Sequence, residues 1–305
     1  MQPSSALDSP LRRRGREWPE TMSRRCGAGQ ARTEARQLIF ARSGFAASSV
    51  SICRIVKVAT WNVNGIRARQ AQVQEWIERE QPDVVCLQEL KAAREQVPAA
   101  LQQLDDYWGY WHGAAAYSGV ALLVRKACCP EPPEFTHPDF DHETRIVSAD
   151  VGPFVVASIY VPNGGKDFAA KIRFLEALAG YTRQHAADSR PIVLCGDMNV
   201  ARTDMDVHPK ERKPDAIGQS PQERDLLNRV IDHGLVDLGR ALDPTNADLF
   251  TWWPPWRNMR QRNIGWRLDY VLASQSVASR AISCPSFRET GTSDHAPVVA
   301  TIDLV

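Results

Sequence analysis

The sequence predicts an α/β protein built on two packed mixed β-sheets covered by helices, and three observations lead there. Nine short apolar runs are bounded by turn residues, which is the pattern of buried strands. Only three stretches carry a helical period, so strands outnumber helices by about ten to three or four. Several strand-like runs follow one another between residues 119 and 161 without an intervening helix, which argues against a simple parallel repeat of strand and helix.

In chain order, the first strand is expected at 55–60, opening with Ile55-Val56-Lys57-Val58-Ala59. A helix follows over 68–80, with Val73, Trp76 and Ile77 on one face. Strands are expected at 83–88, 119–124, 145–151 and 154–161. The second helix spans 167–185, where Phe168, Ile172, Leu175, Leu178 and Ala179 form an apolar stripe. After a strand at 191–195, Pro221 and Glu223 mark the start of a third helix over 221–233, with Leu226, Leu227, Val230 and Ile231 facing inward. Strands at 267–273, 279–284 and 297–303 complete the set. The segments 125–144 and 201–220 are long loops, and length of that kind points to function. No internal repeat or linker interrupts residues 55–305, so one domain is expected there.

The 305 residues carry 37 Lys+Arg against 36 Asp+Glu and are 43% hydrophobic, the balance of a globular chain. No run approaches the roughly 18 apolar residues of a membrane span. Seven cysteines without CxxC spacing argue against a disulfide framework or a zinc ribbon, and a cytoplasmic location is expected. The charge is uneven: residues 1–54 hold ten Arg and four acids, whereas the remaining 251 hold 27 Lys+Arg and 32 Asp+Glu. Residues 1–54 lack any sustained period and are expected to be a disordered basic extension. The expectation is that they are translated upstream sequence, with the start near Val56; a basic nucleic-acid-binding arm and an organellar transit peptide are the alternatives.

Strand ends in this chain repeatedly carry acids or amides: Asn62 and Asn64, Glu89, Asp197 and Asn199, Asp269, and finally Asp294-His295. Each has a structural explanation as a turn or cap. Together they can converge on a cleft, since a strand end is a rigid place from which to present a side chain. Asn62, Asn64, Glu89 and Asp294 are hard oxygen ligands suited to Mg²⁺ or Mn²⁺. His295 is a candidate acid or base that a second acid such as Asp269 can orient. Asp197 and Asn199, on alternate positions of an extended chain, are expected to face the same way, one to activate water and one to donate to an oxyanion. The run Phe250-Thr251-Trp252-Trp253-Pro254-Pro255-Trp256-Arg257, continued by Arg260, Arg262, Trp266 and Arg267, interleaves aromatics with guanidinium groups as nucleic-acid surfaces do; Trp253 is expected in the core.

Seven ordered blocks, WNVNGIRAR (61–69), LQELK (87–91), YSGVALL (117–123), IYVPNG (159–164), GDMNV (196–200), GWRLDYVL (265–272) and SDHAPV (293–298), resemble the exonuclease III/apurinic-apyrimidinic endonuclease family. The resemblance implies a four-layer sandwich, two packed sheets flanked by helices. It implies Glu89 as principal metal ligand, with Asn62, Asn64 and Asp294 in support, and in some accounts a metal near Asp197, Asn199 and His295. Asp197 then activates or orients the attacking water, Asn199 stabilises the transition state, Tyr160 contacts the scissile phosphate or leaving group, and Asp269 with His295 forms a dyad. Trp252, Trp266 and Leu268 fall where the family builds a pocket for an extruded base-less sugar, and flipping costs least where there is no base to unstack. Tyr117, Arg145 and Asn163 match DNA-backbone contacts. The implied partner is double-stranded DNA with abasic sites or 3′ ends, and a monomer is expected. The chain departs from the family at Leu90, where Thr is usual, at Glu143-Thr144, which lacks a glycine before Arg145, and at Gly165-Lys166, which lacks an arginine found in some eukaryotic members. Two other readings are a non-catalytic regulator, opposed by the full set of acids, and a phosphatase of inositol phosphates or lipids, opposed by the Trp252/Trp266 pocket.

Overall fold

The computed structural model describes residues 55–305; the expectations for residues 1–54 lie outside the described residues. The chain runs through β1 (Ile55–Asn62), α1 (Ile66–Glu80), β2 (Val84–Gln88), α2 (Ala99–Gln102), β3 (Tyr107–Ala114), β4 (Tyr117–Arg125), β5 (Phe135–Thr136), β6 (Ile146–Asp150), β7 (Val155–Tyr160) and α3 (Phe168–Ala187). It continues through β8 (Ile192–Asp197), α4 (Pro221–Asp232), β9 (Leu235–Asp237), α5 (Leu238–Leu242), β10 (Asp269–Ser274), α6 (Gln275–Ala278), β11 (Ala281–Ser283) and β12 (Val298–Asp303).

The strands form two six-stranded sheets, ordered β11-β12-β1-β2-β4-β3 and β5-β6-β7-β8-β10-β9. Each is mixed, with one parallel pair at its centre, β1 with β2 and β7 with β8, among antiparallel neighbours. Period-two alternation divides each strand's side chains between two faces. Val56 and Val58, Val84 and Cys86, Val193 and Cys195, and Val271 and Ala273 fill the space between the sheets. The opposite rows pack under helices: Ala59, Trp61, Val85 and Leu87 against Val73, Trp76 and Ile77 of α1, and Ile159, Leu194 and Leu272 against Leu175 of α3 and Leu227 of α4. This is the expected four-layer sandwich, with one apolar core between the sheets and one beneath each helical layer.

The helices start where their caps dictate. The Asp167 carboxylate accepts the Ala170 N–H at 2.9 Å ahead of α3. Ser220 and Glu223 exchange hydrogen bonds in a capping box ahead of α4, with Pro221 in its first turn. A fully buried Lys171–Glu223 ion pair, 2.5 Å long, ties α3 to α4. Within the inter-sheet core one small polar chain crosses from sheet to sheet: Thr60 Oγ1 donates to Gln88 Oε1, Gln88 Nε2 donates to Ser158 Oγ, and Ser158 Oγ donates to the Leu87 carbonyl, all buried. Cys86, Cys129, Cys195 and Cys284 are free. No helix among the described residues is long and apolar enough to cross a membrane.

Candidate active site

At one end of the sandwich the inward-facing rows turn from apolar to polar. Val56 and Val58 are followed by Thr60 and Asn62, Val84 and Cys86 by Gln88, Val156 and Ser158 by Tyr160, and Val193 and Cys195 by Asp197. Register brings two of these together with Asp269: Tyr160 pairs with Asp197 across the parallel β7–β8 ladder, and Asp269 pairs with Asp197 across the antiparallel β8–β10 ladder. The functional side chains therefore occupy the continuation of the core, between the two sheets, where little water competes for them.

Just past the strand ends, Glu89, Asn64 and Asn199 take left-handed backbone angles (φ 52°, 46° and 50°). Conformations of this kind cost energy in a non-glycine residue and gather at functional sites. The Gly65 N–H donates to the Glu89 carbonyl at 2.7 Å, fixing the turn that aims Glu89 inward. Asn199 reaches Asp197 through such a turn rather than along an extended chain. Its backbone N–H donates to Asp197 Oδ1 at 2.9 Å and its side chain to Oδ2 at 3.2 Å, so the two share a face for a different reason than alternation.

The Asn62 amide bridges the sheets, donating to Glu89 Oε1 at 3.0 Å and to Asp197 Oδ2 at 2.9 Å. The Tyr160 hydroxyl donates to Glu89 Oε1 at 2.8 Å. His295 Nδ1 lies 2.9 Å from Asp269 Oδ2, and its Nε2 lies 3.8 Å from Asp197 Oδ2. Ligand atoms of Glu89, Asp197 and His295 all fall within 4.8 Å of one another. Asn64 and Asp294 stand beside this cluster: the Asn64 amide donates to Asp294 Oδ1 at 2.7 Å, and Trp252 Nε1 donates to Asp294 Oδ2 at 3.0 Å.

Electrostatics follow from burial and crowding. Burial, reinforced by the charges of Asp269 and Glu89, pushes Asp197 up to about 7, with His295 opposing. Burial disfavours a charged His295, but Asp269 and Asp197 overcome it and carry the imidazole up to about 10. Glu89 resists its own burial through hydrogen bonds from Lys91 and Asn62, which hold it below the ordinary range. Burial raises Tyr160 and neighbouring Glu89 raises it further, so the phenol stays protonated. Carboxylates packed this closely fit a divalent cation, since their mutual repulsion is what such an ion neutralises.

Beside the cluster, Trp252 and Trp266 meet edge to face, with centroids 5.5 Å apart, and pack with Leu268, Val207 and Ala201. A Cβ at Gly265 would lie 2.4 Å from the Trp252 carbonyl, so only glycine lets these strands approach. Trp253 is core, as expected, at 1% exposure.

Several basic residues serve other ends than their sequence setting suggests. Arg267 is buried, bidentate to Asp237 and paired with Asp206; Arg260 donates to the carbonyls of Arg288, Thr290 and Ser293. Arg145 is only 3% exposed, and its guanidinium donates to Glu143, to the Tyr117 hydroxyl and to the Tyr160 carbonyl, bracing both tyrosines. Tyr117 itself is exposed, and the Asn163 side chain donates to Asn199 Oδ1 at 3.1 Å. Sequence reasoning passed over Lys91, whose ammonium lies 2.8 Å from Glu89 and donates to Asn64; its place two residues after Glu89 was the available signal. It also passed over Thr251, whose hydroxyl accepts the Leu268 and Asp269 N–H groups, and Lys171, which donates to the Asn199 and Asn163 carbonyls; neither is legible from spacing.

Residues 59–295 match the model of the Endonuclease/Exonuclease/phosphatase family. An exodeoxyribonuclease of Bacillus subtilis (strain 168) is 32% identical over 261 residues, spanning 82% of this chain and all of that protein. A 3′ phosphatase (NExo) from Neisseria, solved bound to a product DNA hairpin, is 32% identical with a TM-score of 0.75, covering 81% of this chain and 99% of that one. An AP endonuclease from Archaeoglobus fulgidus is 29% identical with a TM-score of 0.73, covering 82% of this chain and all of that one. With a family match across most of the two-sheet fold and a relative aligned over its full length, the chain belongs to the endonuclease/exonuclease/phosphatase family, in its exonuclease III/apurinic-apyrimidinic endonuclease group.

Proposed function

We propose that the chain is a Mg²⁺-dependent DNA repair nuclease that hydrolyses the phosphodiester bond 5′ to an abasic site, leaving a 3′-hydroxyl, and that trims or unblocks 3′ ends of duplex DNA. The observation that carries this reading is the convergence of Glu89, Asp197 and His295 within 4.8 Å, with the Trp252/Trp266/Leu268 pocket alongside. Relatives named for exonuclease, 3′ phosphatase and AP endonuclease activity support the same range of substrates.

Glu89, with Asn62, Asn64 and Asp294 beside it, would hold Mg²⁺ or Mn²⁺ next to Asp197, Asn199 and His295. Bound there, the ion supplies Lewis-acid polarisation of the phosphate and charge neutralisation. The chain's own groups do the rest. Asp197, raised to about 7, accepts a proton from water at neutral pH as the water oxygen attacks phosphorus in line. His295, held as imidazolium by Asp269, and the Asn199 amide face the developing negative charge on the phosphoryl oxygens. Tyr160 keeps its proton and can donate it toward the departing 3′ oxygen. The Trp252/Trp266 pair and Leu268 offer an apolar recess that admits a sugar lacking its base.

The test is a duplex with one abasic site, incubated with the protein in EDTA and again with Mg²⁺ restored. Incision 5′ to the site only when Mg²⁺ is present supports the reading. An intact duplex in both arms overturns it, as does hydrolysis confined to inositol phosphates supplied in parallel.

A further inference from the structure

The open edges of the two sheets, β3 in one and β5 in the other, meet on one side of the sandwich. Tyr110 of β3 stacks on Phe135 of β5 with centroids 5.3 Å apart and planes 19° from parallel. One turn of the pleat further on, His112 stacks on His137 at 4.0 Å and 12°. His112 Nε2 also lies 2.6 Å from Asp141 Oδ2. Edge strands that touch only through side chains have no backbone ladder to hold them, so whatever joins these side chains joins the sheets.

We propose that His112, His137 and Asp141 form a second metal site, for a divalent transition ion of the zinc type, that staples the two sheet edges together. Ligand atoms of the three residues all lie within 4.8 Å of one another. Two imidazoles and a carboxylate are the donor set that suits zinc; the ion draws one ring out of the stack so that both in-plane nitrogen lone pairs meet it, and three protein ligands leave a further position for water. The set differs from the oxygen-rich, amide-rimmed cluster at Glu89, so the two sites favour different ions. Outer partners of the kind that orient metal ligands are in place: Asp141 Oδ1 accepts the Arg145 N–H at 2.7 Å, and the Tyr110 hydroxyl lies 3.1 Å from His137 Nε2.

An ion here does more than close an edge. Asp141 holds the start of the segment whose Arg145 braces Tyr117 and Tyr160, so the metal fixes the far end of a chain of contacts that ends at the Glu89 cluster. This inference stands on geometry outside that cluster and holds whatever the substrate.

The experiment uses the full chain carrying Glu89→Gln, to weaken the other cluster, with Zn²⁺ measured by equilibrium dialysis and Co²⁺ as a spectroscopic surrogate. One equivalent of Zn²⁺ and visible Co²⁺ absorption of low-coordinate type are expected. Adding His137→Asn, at an exposed position, should weaken binding at least ~10-fold, and His112→Asn should do the same. Circular dichroism checks that each variant is folded. Failure of the Glu89→Gln protein to retain Zn²⁺, or affinity unchanged by both histidine substitutions, overturns the proposal.

Discussion

Asp197 sits where three side chains of the site converge: Asn62, Asn199 and His295 all approach its carboxylate. Replacing it by Asn keeps the shape but removes both the proton acceptor and a negative charge. His295→Ala removes the imidazolium facing the phosphate. Each is expected to slow incision of an abasic duplex by at least ~10², the scale of losing one catalytic group, measured by single-turnover gel assay; rates unchanged in both would contradict these roles. At this scale the sequence was informative wherever a residue does its work through its own strand end. Glu89, Asp197, Asp269 and His295 were legible for that reason. Arg260 and Arg267 were not, because a guanidinium's partner is set by distant chain, and Asp206, Asp237 and backbone carbonyls claim both before any phosphate can.

Among elements, the three long helices and the long central strands follow their apolar periods closely, whereas β3, β5 and β9 escaped notice. β3 is an edge strand rich in aromatics and glycine, with only Tyr107 and Trp111 buried, so no clean alternation marks it. β5 and β9 are two and three residues long, too short for any period to register. The β7–β8 pair shows what the central elements demand. A Cβ at Gly196 would sit 1.8 Å from the Ile159 carbonyl, inside the ladder that sets Asp197 beside Tyr160. Gly196→Ala should cost roughly 3 kcal/mol or more in denaturant unfolding, at the upper end of overpacking; a loss within error would show that the strands can part. The α3–α4 joint offers a second test. Lys171→Met leaves the Glu223 carboxylate buried without its cation and should cost ~3–5 kcal/mol, while also loosening Asn199 and Asn163, whose carbonyls Lys171 holds. A stable, fully active K171M protein would remove Lys171 from the positioning of the site.

For the molecule as a whole, packing several acids into the end of a core has a pH signature. Both Asp197 and His295 bind protons more tightly in the fold than in the unfolded chain. The stability each contributes is therefore complete at low pH and is lost as pH rises, between 3.8 and about 7 for Asp197 and between 6.5 and about 10 for His295. In EDTA the melting temperature should fall steadily across neutral and mildly alkaline pH. Excess Mg²⁺ should flatten that fall, because an ion bound only by the native state stabilises it most where the carboxylates are ionised; identical curves with and without Mg²⁺ would mean that no ion enters the cluster. The two-sheet architecture was readable from strand count and succession alone. The order of strands was not, since apolar runs record burial and say nothing of which neighbour supplies it.

The hydrogen-bonded thread through Thr60, Gln88 and Ser158 gives that architecture its alignment. Apolar contacts are non-directional, and a displacement of a single residue along a strand is about 3.3 Å, enough to separate the carboxylate of one half from that of the other. Three uncharged side chains act as a dowel: they forbid the slip, and so the spacing of a centre assembled from two independent halves is decided one layer below it, by groups that never meet the substrate.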